Sequence, residues 1–247
     1  MFKTTNGLIL REVRYKEADR ILTVLTPDEG KITVNARGAL RKGSRTGAAT
    51  QLLTFSELTL FNNKGRWSLN EASTIEEFKE LRSDISALSL ASYFAECTEA
   101  VSDEDRPDPE LLQLILNCLY ALSNSLAPQL QVKTAFELRL MCIAGYEPDL
   151  YSCAVCGDEK PDEPYFSTEN GVICCKKCRA PKLNADIPLS DGALSAMRYI
   201  ISSEPRKLLK FRLSEDELAD AAFAAEKYLL ARTERGFTSL DYWKKVK

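Results

Sequence analysis

Histidine is missing from this sequence of 247 residues. It is the commonest general base in enzymes, and every Ser-His or Cys-His nucleophilic site requires it. Catalysis would therefore have to rest on carboxylates, lysine or tyrosine alone. We expect a protein that is not an enzyme.

Long apolar runs are missing as well. No stretch of about 18 apolar residues occurs, so the sequence predicts no membrane span. Residues 1–7 lack the apolar region of a secretory signal. The hydrophobic share of 45% and the charged share of 28% are ordinary for a folded globular protein. We expect a folded protein that stays in the cytoplasm.

An overall excess of positive charge is also lacking. The net charge is −3, which argues against a generally basic nucleic-acid binder. Residues 1–70, however, carry 12 Lys and Arg against 6 Asp and Glu, a net of +6, and the remainder carries 21 against 30, a net of −9. Exposed charges separated by more than about 8 Å are largely screened at physiological salt. The basic N-terminal region can therefore attract phosphates.

The first 75 residues or so show the pattern of five short strands. Thr26 to Gly30 makes a turn after the second strand, with Pro27 fixing one φ angle, and a Gly-rich basic stretch, 37–47, follows the third. This pattern suits a small barrel of the oligonucleotide/oligosaccharide-binding (OB) type, and an SH3-like barrel would give much the same pattern. The predicted strands are 8–15, 21–26, 31–36, 52–61 and 66–72.

From Glu76 onward the pattern is helical. We predict an α+β protein with a five-stranded OB-fold barrel over 1–78 and an all-helical domain over 79–247, interrupted by a cysteine-rich insert at about 150–182. The first helix is expected from a cap at Ser83 or Asp84 to Val101, and the second starts at Asp108-Pro109. The third is expected from Pro128 to Gly145, and Ser190 caps the fourth. Ser214 and Glu217 form a capping box for the fifth helix, which runs to Arg235 and is ended by Gly236.

Eight cysteines stand out, because paired spacings in a cytosolic protein indicate metal ligands. Cys153 and Cys156 form one C-x2-C pair, and Cys175 and Cys178 form a second. Two such turns present four thiolates, which Zn²⁺ binds tetrahedrally. The sequence predicts one structural zinc site, with unliganded, reduced cysteines as the alternative.

The third ligand is ambiguous, because Cys174 precedes Cys175. Adjacent residues of an extended segment point to opposite sides, so only one of the two should face the metal. The C-x2-C spacing favours Cys175. Cys97, Cys118 and Cys142 fall within apolar helical patterns, and we expect them to be core thiols.

Cations and aromatic residues cluster in the first 70 residues. Glycines and a serine surround the cations of the 37–47 stretch, and a flexible cationic loop of this kind can fit a phosphate backbone. Aromatic residues on strands beside cations are typical of single-strand binders. Alternatively, Trp67 only closes the barrel and the cations are solvated. The predicted DNA-binding residues are Arg37, Arg41, Lys42, Arg45, Lys64, Arg66 and Trp67, beside Phe61.

Several segments together resemble the bacterial RecO family. The resemblance covers the barrel closely and the helical part by its layout, and it continues through Thr54-Phe55 and Leu58. The matching segments are Gly7-Leu-Ile-Leu-Arg11, Tyr15, Glu17-Ala-Asp19-Arg20, Leu25-Thr26-Pro27, Gly30-Lys31, Arg37-Gly38-Ala39, Cys153-Ala-Val-Cys156-Gly157 and Gly171-Val-Ile-Cys174.

This resemblance implies an N-terminal OB-fold and a helical domain that carries a zinc knuckle. It implies a homologous-recombination mediator that binds single- and double-stranded DNA and anneals complementary strands. The implied partners are RecR and the acidic tail of single-stranded-DNA-binding protein, so that RecA loads onto coated strands. In the family pattern a Gly-hydrophobic stretch runs straight into the second cysteine pair, which would make Cys174 the third ligand.

Other interpretations stay open. The acidic tail could bind at Arg206, Lys207, Lys210 and Arg212 or at Lys244, Lys245 and Lys247, although these charges could equally be solvated. A metal-dependent nuclease using Asp103-Glu104-Asp105 is one alternative function. A structural adaptor whose zinc folds a docking surface is another.

Overall fold

The computed structural model describes residues 1–179 and 183–247 and consists of two compact units. The first unit comprises residues 1–124 with 237–247, and the second comprises residues 125–236. The last three residues of the predicted cysteine-rich insert, 180–182, lie outside the described residues. The boundary between residues 78 and 79 stays a prediction.

The N-terminal strands close into a five-stranded barrel, which confirms the predicted fold class. The strand order is β1-β2-β3-β5-β4, with β1 also paired to β4. β3 and β5 run parallel, with Val34 beside Trp67. This parallel closure belongs to the OB type, so it decides between the two barrels that periodicity could not separate. The strands are β1 Phe2–Tyr15, β2 Asp19–Thr26, β3 Gly30–Ala36, β4 Phe55–Asn63 and β5 Arg66–Glu76.

Alternation of apolar and polar residues builds the barrel core. In β3, Ile32 and Val34 point inward and are buried, whereas Thr33 between them is exposed. Leu22, Val24, Leu58 and Leu60 belong to the same cluster. Because side chains alternate between the two faces of a strand, one face fills the barrel and the other stays available for contacts.

Three α-helices and a short 3-10 helix, Lys79–Ser83, complete the first unit. α6 follows the second unit in the chain and packs against α1, where the ring centroids of Phe237 and Tyr93 lie 5.5 Å apart. Trp243 of α6 is only 2% exposed, so this last helix is part of the core of the unit. The sequence pattern predicted no element after Gly236. The helices are α1 Ile85–Val101, α2 Pro109–Ser123 and α6 Thr238–Val246.

In its described residues, the second unit contains three α-helices and a four-stranded sheet of order β6-β8-β7-β9. The sheet lies in and just after the predicted cysteine-rich insert, so the domain is less purely helical than predicted. The elements are α3 Gln129–Ile143, α4 Asp191–Ser202, α5 Glu215–Thr233, β6 Asp149–Cys153, β7 Pro164–Ser167, β8 Val172–Cys175 and β9 Ile187–Pro188.

The predicted N-terminal helix caps are confirmed, but the predicted end of α5 is wrong. Asp84, rather than Ser83, accepts hydrogen bonds from the first backbone amides of α1, and Asp108 accepts one from Leu111 at 2.9 Å. Ser190 caps α4. Ser214 forms the predicted capping box with Glu217, and these hydrogen bonds hold the pKa of the Glu217 carboxyl below its usual range. α5 ends at Thr233, and Glu234, with φ +51°, takes the left-handed position expected of Gly236.

A buried ion cluster joins α3 to α5. The Lys133 ammonium lies 2.8 Å from Glu137 and 3.0 Å from Glu226, and its side chain is 1% exposed. Burial lowers the pKa of Lys133, but the two carboxylates outweigh that effect and raise it above the usual value. Lys133 therefore stays charged, and removing it would leave buried carboxylates without their cation.

Candidate metal centre and nucleic-acid interface

The structure brings four cysteine sulfurs together in the second unit. The Sγ atoms of Cys153, Cys156, Cys175 and Cys178 all lie within 4.8 Å of one another. Cys153 ends β6 and Cys175 ends β8, and these two strands are parallel neighbours in the sheet. The other member of each pair follows in the turn after its strand. In the described part of the chain, no other group of three or more potential ligands converges in this way.

The spacing of these sulfurs fits a tetrahedral metal. Cys153 Sγ and Cys156 Sγ each lie 3.9 Å from Cys175 Sγ. Four ligands at about 2.3 Å from a tetrahedral centre would stand about 3.8 Å apart. Four sulfur donors suit Zn²⁺, and a complete set of four leaves no open position for a substrate.

The backbone of the first turn is arranged to hold a thiolate. Gly157 has φ +76° and donates a hydrogen bond to the Cys153 carbonyl at 2.8 Å. The backbone amide of Cys175 points at Cys153 Sγ from 3.4 Å. Burial raises the pKa of Cys153, but backbone amides of Cys156, Cys175 and Val155 outweigh it and lower the pKa to about 6. These amides therefore favour a deprotonated sulfur at Cys153, the form in which a cysteine binds a metal.

Cys174 and Cys175 point to opposite sides of β8. The sulfur that joins the cluster is that of Cys175. Cys174 is fully buried next to the cluster, and burial raises the pKa of its thiol. The geometry thus favours the ligand chosen by the C-x2-C spacing over the one implied by the family pattern.

The remaining cysteines lie on helices. Cys97 is 0% and Cys118 1% exposed, as expected of core residues, whereas Cys142 is half-buried. Burial raises the pKa of the Cys118 thiol. That thiol is therefore protonated and a poor nucleophile.

Strand register brings the start of the basic loop close to the end of the basic hairpin, on the neighbouring strands β3 and β5. The loop 37–54 starts where β3 ends, and the β4–β5 hairpin leads into the start of β5. β3 and β5 are parallel, and the residues that pair lie near the end of β3 and the start of β5, with Asn35 beside Ser68. The loop and the hairpin therefore join these strands within a few residues of each other, although they extend from there in opposite strand directions. We call the surface formed by the loop and the hairpin the basic end of the barrel. The six predicted cations at this end are all exposed: Arg37, Arg41, Lys42, Arg45, Lys64 and Arg66.

The loop is more ordered than a flexible glycine-rich segment would be. Leu40 donates a backbone hydrogen bond to the Ala18 carbonyl at 2.9 Å, and the Gly38 amide donates to Asp19 at 2.8 Å. Arg20 donates to the Gly47 carbonyl and to the Thr50 hydroxyl, both at 3.0 Å. The loop is thus a series of turns bonded to the barrel, and its cations project from a fixed backbone.

The aromatic residues at this end differ in exposure. Trp67 is half-buried and packs against the barrel core, whereas Phe61 is 38% exposed. Phe2, which was not among the predicted site residues, is 59% exposed and lies opposite Phe61 on the neighbouring strand. No local signal indicates this position, because residues 3–6 are polar and form a strand only through their pairing with β4.

The negative charge is concentrated next to the barrel in sequence. Residues 71–124 carry 3 Lys and Arg against 12 Asp and Glu, whereas residues 125–247 carry 18 of each. The whole acidic excess of the chain therefore lies in the segment that contains α1 and α2. Within residues 1–124 of the first unit, the positive charge is therefore concentrated in residues 1–70, which contain the loop and the hairpin.

The other candidate sites are placed as follows. Asp103, Glu104 and Asp105 are exposed in the α1–α2 linker, and Asp103 pairs with Arg106 at 3.1 Å. The first basic cluster is exposed in the second unit, where Lys207 pairs with Glu204 at 3.1 Å. The second basic cluster lies exposed on and after α6 in the first unit. Its members are Lys244, Lys245 and Lys247.

In the described residues 1–179 and 183–247, no helix is both long and apolar enough to cross a bilayer.

Comparison with known proteins agrees with this architecture. Residues 1–78 match the family model for the recombination protein O N-terminal region, and residues 82–241 match that for its C-terminal region. Similar proteins include the DNA repair protein RecO of Acetivibrio thermocellus, 37% identical over 97% of this chain and 95% of that protein. The DNA repair protein RecO of Symbiobacterium thermophilum is 31% identical over 96% of this chain and 94% of that protein. The chain belongs to the RecO family of DNA repair proteins.

Proposed function

We propose that this protein binds single- and double-stranded DNA at the basic end of its barrel and anneals complementary strands without making or breaking a covalent bond. The observation that carries the proposal is that six exposed cations lie on one loop and one hairpin, which join the barrel at neighbouring points of β3 and β5. The name DNA repair protein, carried by the relatives, supports a DNA ligand.

The proposed mechanism is electrostatic and stoichiometric. Cations on the loop and hairpin neutralise the phosphates of one strand, which lowers the repulsion that a second strand meets. The ordered backbone of the loop keeps these cations in place before DNA arrives, so less conformational entropy is lost on binding. The exposed part of Trp67 adds contact with the strand. No step requires a general base, in keeping with the absence of histidine.

The cysteine cluster holds one structural Zn²⁺ in this proposal, with Cys153, Cys156, Cys175 and Cys178 as the ligands. The 3.9 Å sulfur separations and the sulfur-only donor set support it. Bound zinc would tie β6 to β8 and so maintain the small sheet of the second unit. Metal analysis of purified protein tests the assignment: one equivalent of zinc is expected, and iron or no metal would contradict it.

The proposed partners are RecR and the acidic tail of single-stranded-DNA-binding protein, with RecA loading as the outcome, in the cytoplasm at the nucleoid. Of the two basic clusters offered to that tail, the one in the second unit has Tyr199 and Phe211 beside it, with ring centroids 6.1 Å apart. Changing Lys207 and Lys210 to Glu should abolish capture of a peptide with the tail sequence. Unchanged capture of the peptide would contradict a tail-binding site at these residues.

The experiment that tests the proposed function is strand annealing with purified protein and two complementary oligonucleotides across a salt titration. Annealing should be accelerated at low salt, the effect should fade as salt rises, and both strands should stay intact. Cleavage in Mg²⁺ would favour the nuclease interpretation. Binding to RecR with no affinity for DNA would favour the adaptor.

A further inference from the structure

We propose that the exposed Phe2–Phe61 pair on the outer face of the barrel is a stacking platform for unpaired bases of single-stranded DNA. The inference rests on the proposed DNA-binding function and extends it, because it assigns base contact to residues other than the cations. It also supplies a physical means of telling single strands from duplex.

The two rings form a pre-assembled pair. Phe2 of β1 and Phe61 of β4 are directly opposed across antiparallel strands, so their side chains leave the barrel on the same side. Their ring centroids lie 5.1 Å apart with an angle of 52° between the planes. Because each ring limits the rotation of the other, a base that stacks on them immobilises little additional side-chain motion.

Both rings are exposed to solvent, which is unfavourable for large apolar side chains unless they bind something. Phe2 is 59% and Phe61 38% exposed, although each is large and apolar. The next outward pair along the same strands is polar: the hydroxyls of Thr4 and Thr59 lie 3.3 Å apart. Two adjacent aromatic rings beyond this polar pair offer a flat apolar surface on which bases can stack.

The platform is rigidly connected to the cationic hairpin. Lys64 and Gly65 have φ +52° and +81°, as in a tight two-residue turn. The Gly65 amide donates to Asn62 Oδ1 at 3.0 Å, and the Asn62 amide donates to the Met1 carbonyl at 2.9 Å. These bonds hold the first residues of β1 against the hairpin. A strand whose phosphates contact Lys64 and Arg66 therefore has its bases within reach of the pair.

Single-stranded DNA fits this surface better than a protein partner does. Stable protein interfaces bury about 800 Å² on each side, far more than two rings expose. Every base has a π face, so stacking tolerates any sequence and adds to phosphate contacts. Bases in a duplex are already stacked on their neighbours and are unavailable to the platform. The pair should therefore affect single-strand binding alone.

The test compares binding of a thymine oligonucleotide with binding of a duplex of equal length at matched salt, using the full chain. The double variant Phe2→Leu/Phe61→Leu keeps apolar bulk and removes the rings. Stacking of one base corresponds to about 5- to 150-fold in affinity. We expect the single-strand affinity to fall about tenfold or more and the duplex affinity to stay within twofold. The fluorescence of a 2-aminopurine base in the oligonucleotide should be quenched when the wild type binds and not when the variant binds.

Two controls sharpen the result. The variant Phe2→Tyr/Phe61→Tyr keeps both rings and should keep the affinity. Ile75→Ala alters another apolar residue, in β5, which is 51% exposed and far from the hairpin in sequence. This variant should keep the wild-type affinity for both the single strand and the duplex. Unchanged single-strand affinity in the Leu variant, or an equal loss on both substrates, would overturn the platform while DNA binding stands. A wild type that binds no DNA would instead overturn the proposed function.

Discussion

The cysteine cluster and the basic end of the barrel are built in opposite ways. Four sulfurs lie within 4.8 Å of one another on turns fixed by backbone hydrogen bonds, so their chemistry follows from geometry. The six cations of the barrel end share a surface and a sign of charge, and a long flexible side chain carries each of them. The first arrangement should therefore fail as a whole when one member is removed, and the second should weaken in steps.

The largest effect should come from Cys175→Ser. Loss of one thiolate should release the metal and unfold the sheet β6–β9, because structural zinc contributes on the order of 10 kcal/mol in small zinc-binding peptides. Cys174→Ser should keep the metal, and its free energy of unfolding should fall by only about 1–3 kcal/mol, because it buries a hydroxyl without a hydrogen-bond partner. Zinc analysis and thermal unfolding of both variants measure the difference.

A matched control separates metal loss from general instability. Lys133→Met removes the buried cation between Glu137 and Glu226 and should destabilise the same unit by about 3–5 kcal/mol. Its metal content should nevertheless be that of the wild type. If Cys174→Ser rather than Cys175→Ser released the metal, the ligand assignment would be wrong.

A graded effect is expected from Arg41→Glu with Lys42→Glu. Each phosphate that a cation no longer neutralises should reduce the slope of log affinity against log salt by about 0.9 on duplex DNA. The double variant should therefore lower the slope by about 1.8, and each single variant by half as much. Binding isotherms at several salt concentrations measure both the affinity and the slope.

The control for this charge reversal is Lys79→Glu with Arg106→Glu. It makes the same change in net charge, but both residues are exposed in the acidic segment 71–124. Lys79 lies beyond the far end of β5, and Arg106 lies against Gly30 at the start of β3. An equal decrease in affinity for this variant would mean that total charge, rather than the basic end of the barrel, governs binding.

Local signals in the sequence predicted much of this structure. Alternating apolar residues located all five barrel strands, and side-chain caps at Asp108, Ser190 and Ser214 located the helix starts correctly. The C-x2-C spacing predicted which four sulfurs converge. In each case the residues that determine the feature are close together in the chain or repeat at a fixed period.

Features that depend on distant contacts were missed. β1 begins at Phe2 instead of residue 8, because its polar first half is a strand only through pairing with β4. The short strands of the insert have no period of their own and form by pairing around the cysteines. α6 is amphipathic, but nothing local indicates that it packs against α1, far away in the chain. Exposure of Phe2 followed from the same missed pairing.

The smallest effect should come from Trp67→Phe, which tests where the DNA surface ends. Trp67 packs against the barrel core beside Val34, so only part of its ring is available to a strand. A smaller ring should cost about 1–2 kcal/mol of unfolding free energy through poorer packing. The affinity for single strands should change by no more than about threefold. Thermal unfolding and DNA binding measured on one preparation decide the point. A tenfold decrease in affinity without a decrease in stability would place Trp67 among the base-stacking residues, and the boundary between core and DNA surface would then pass through its ring.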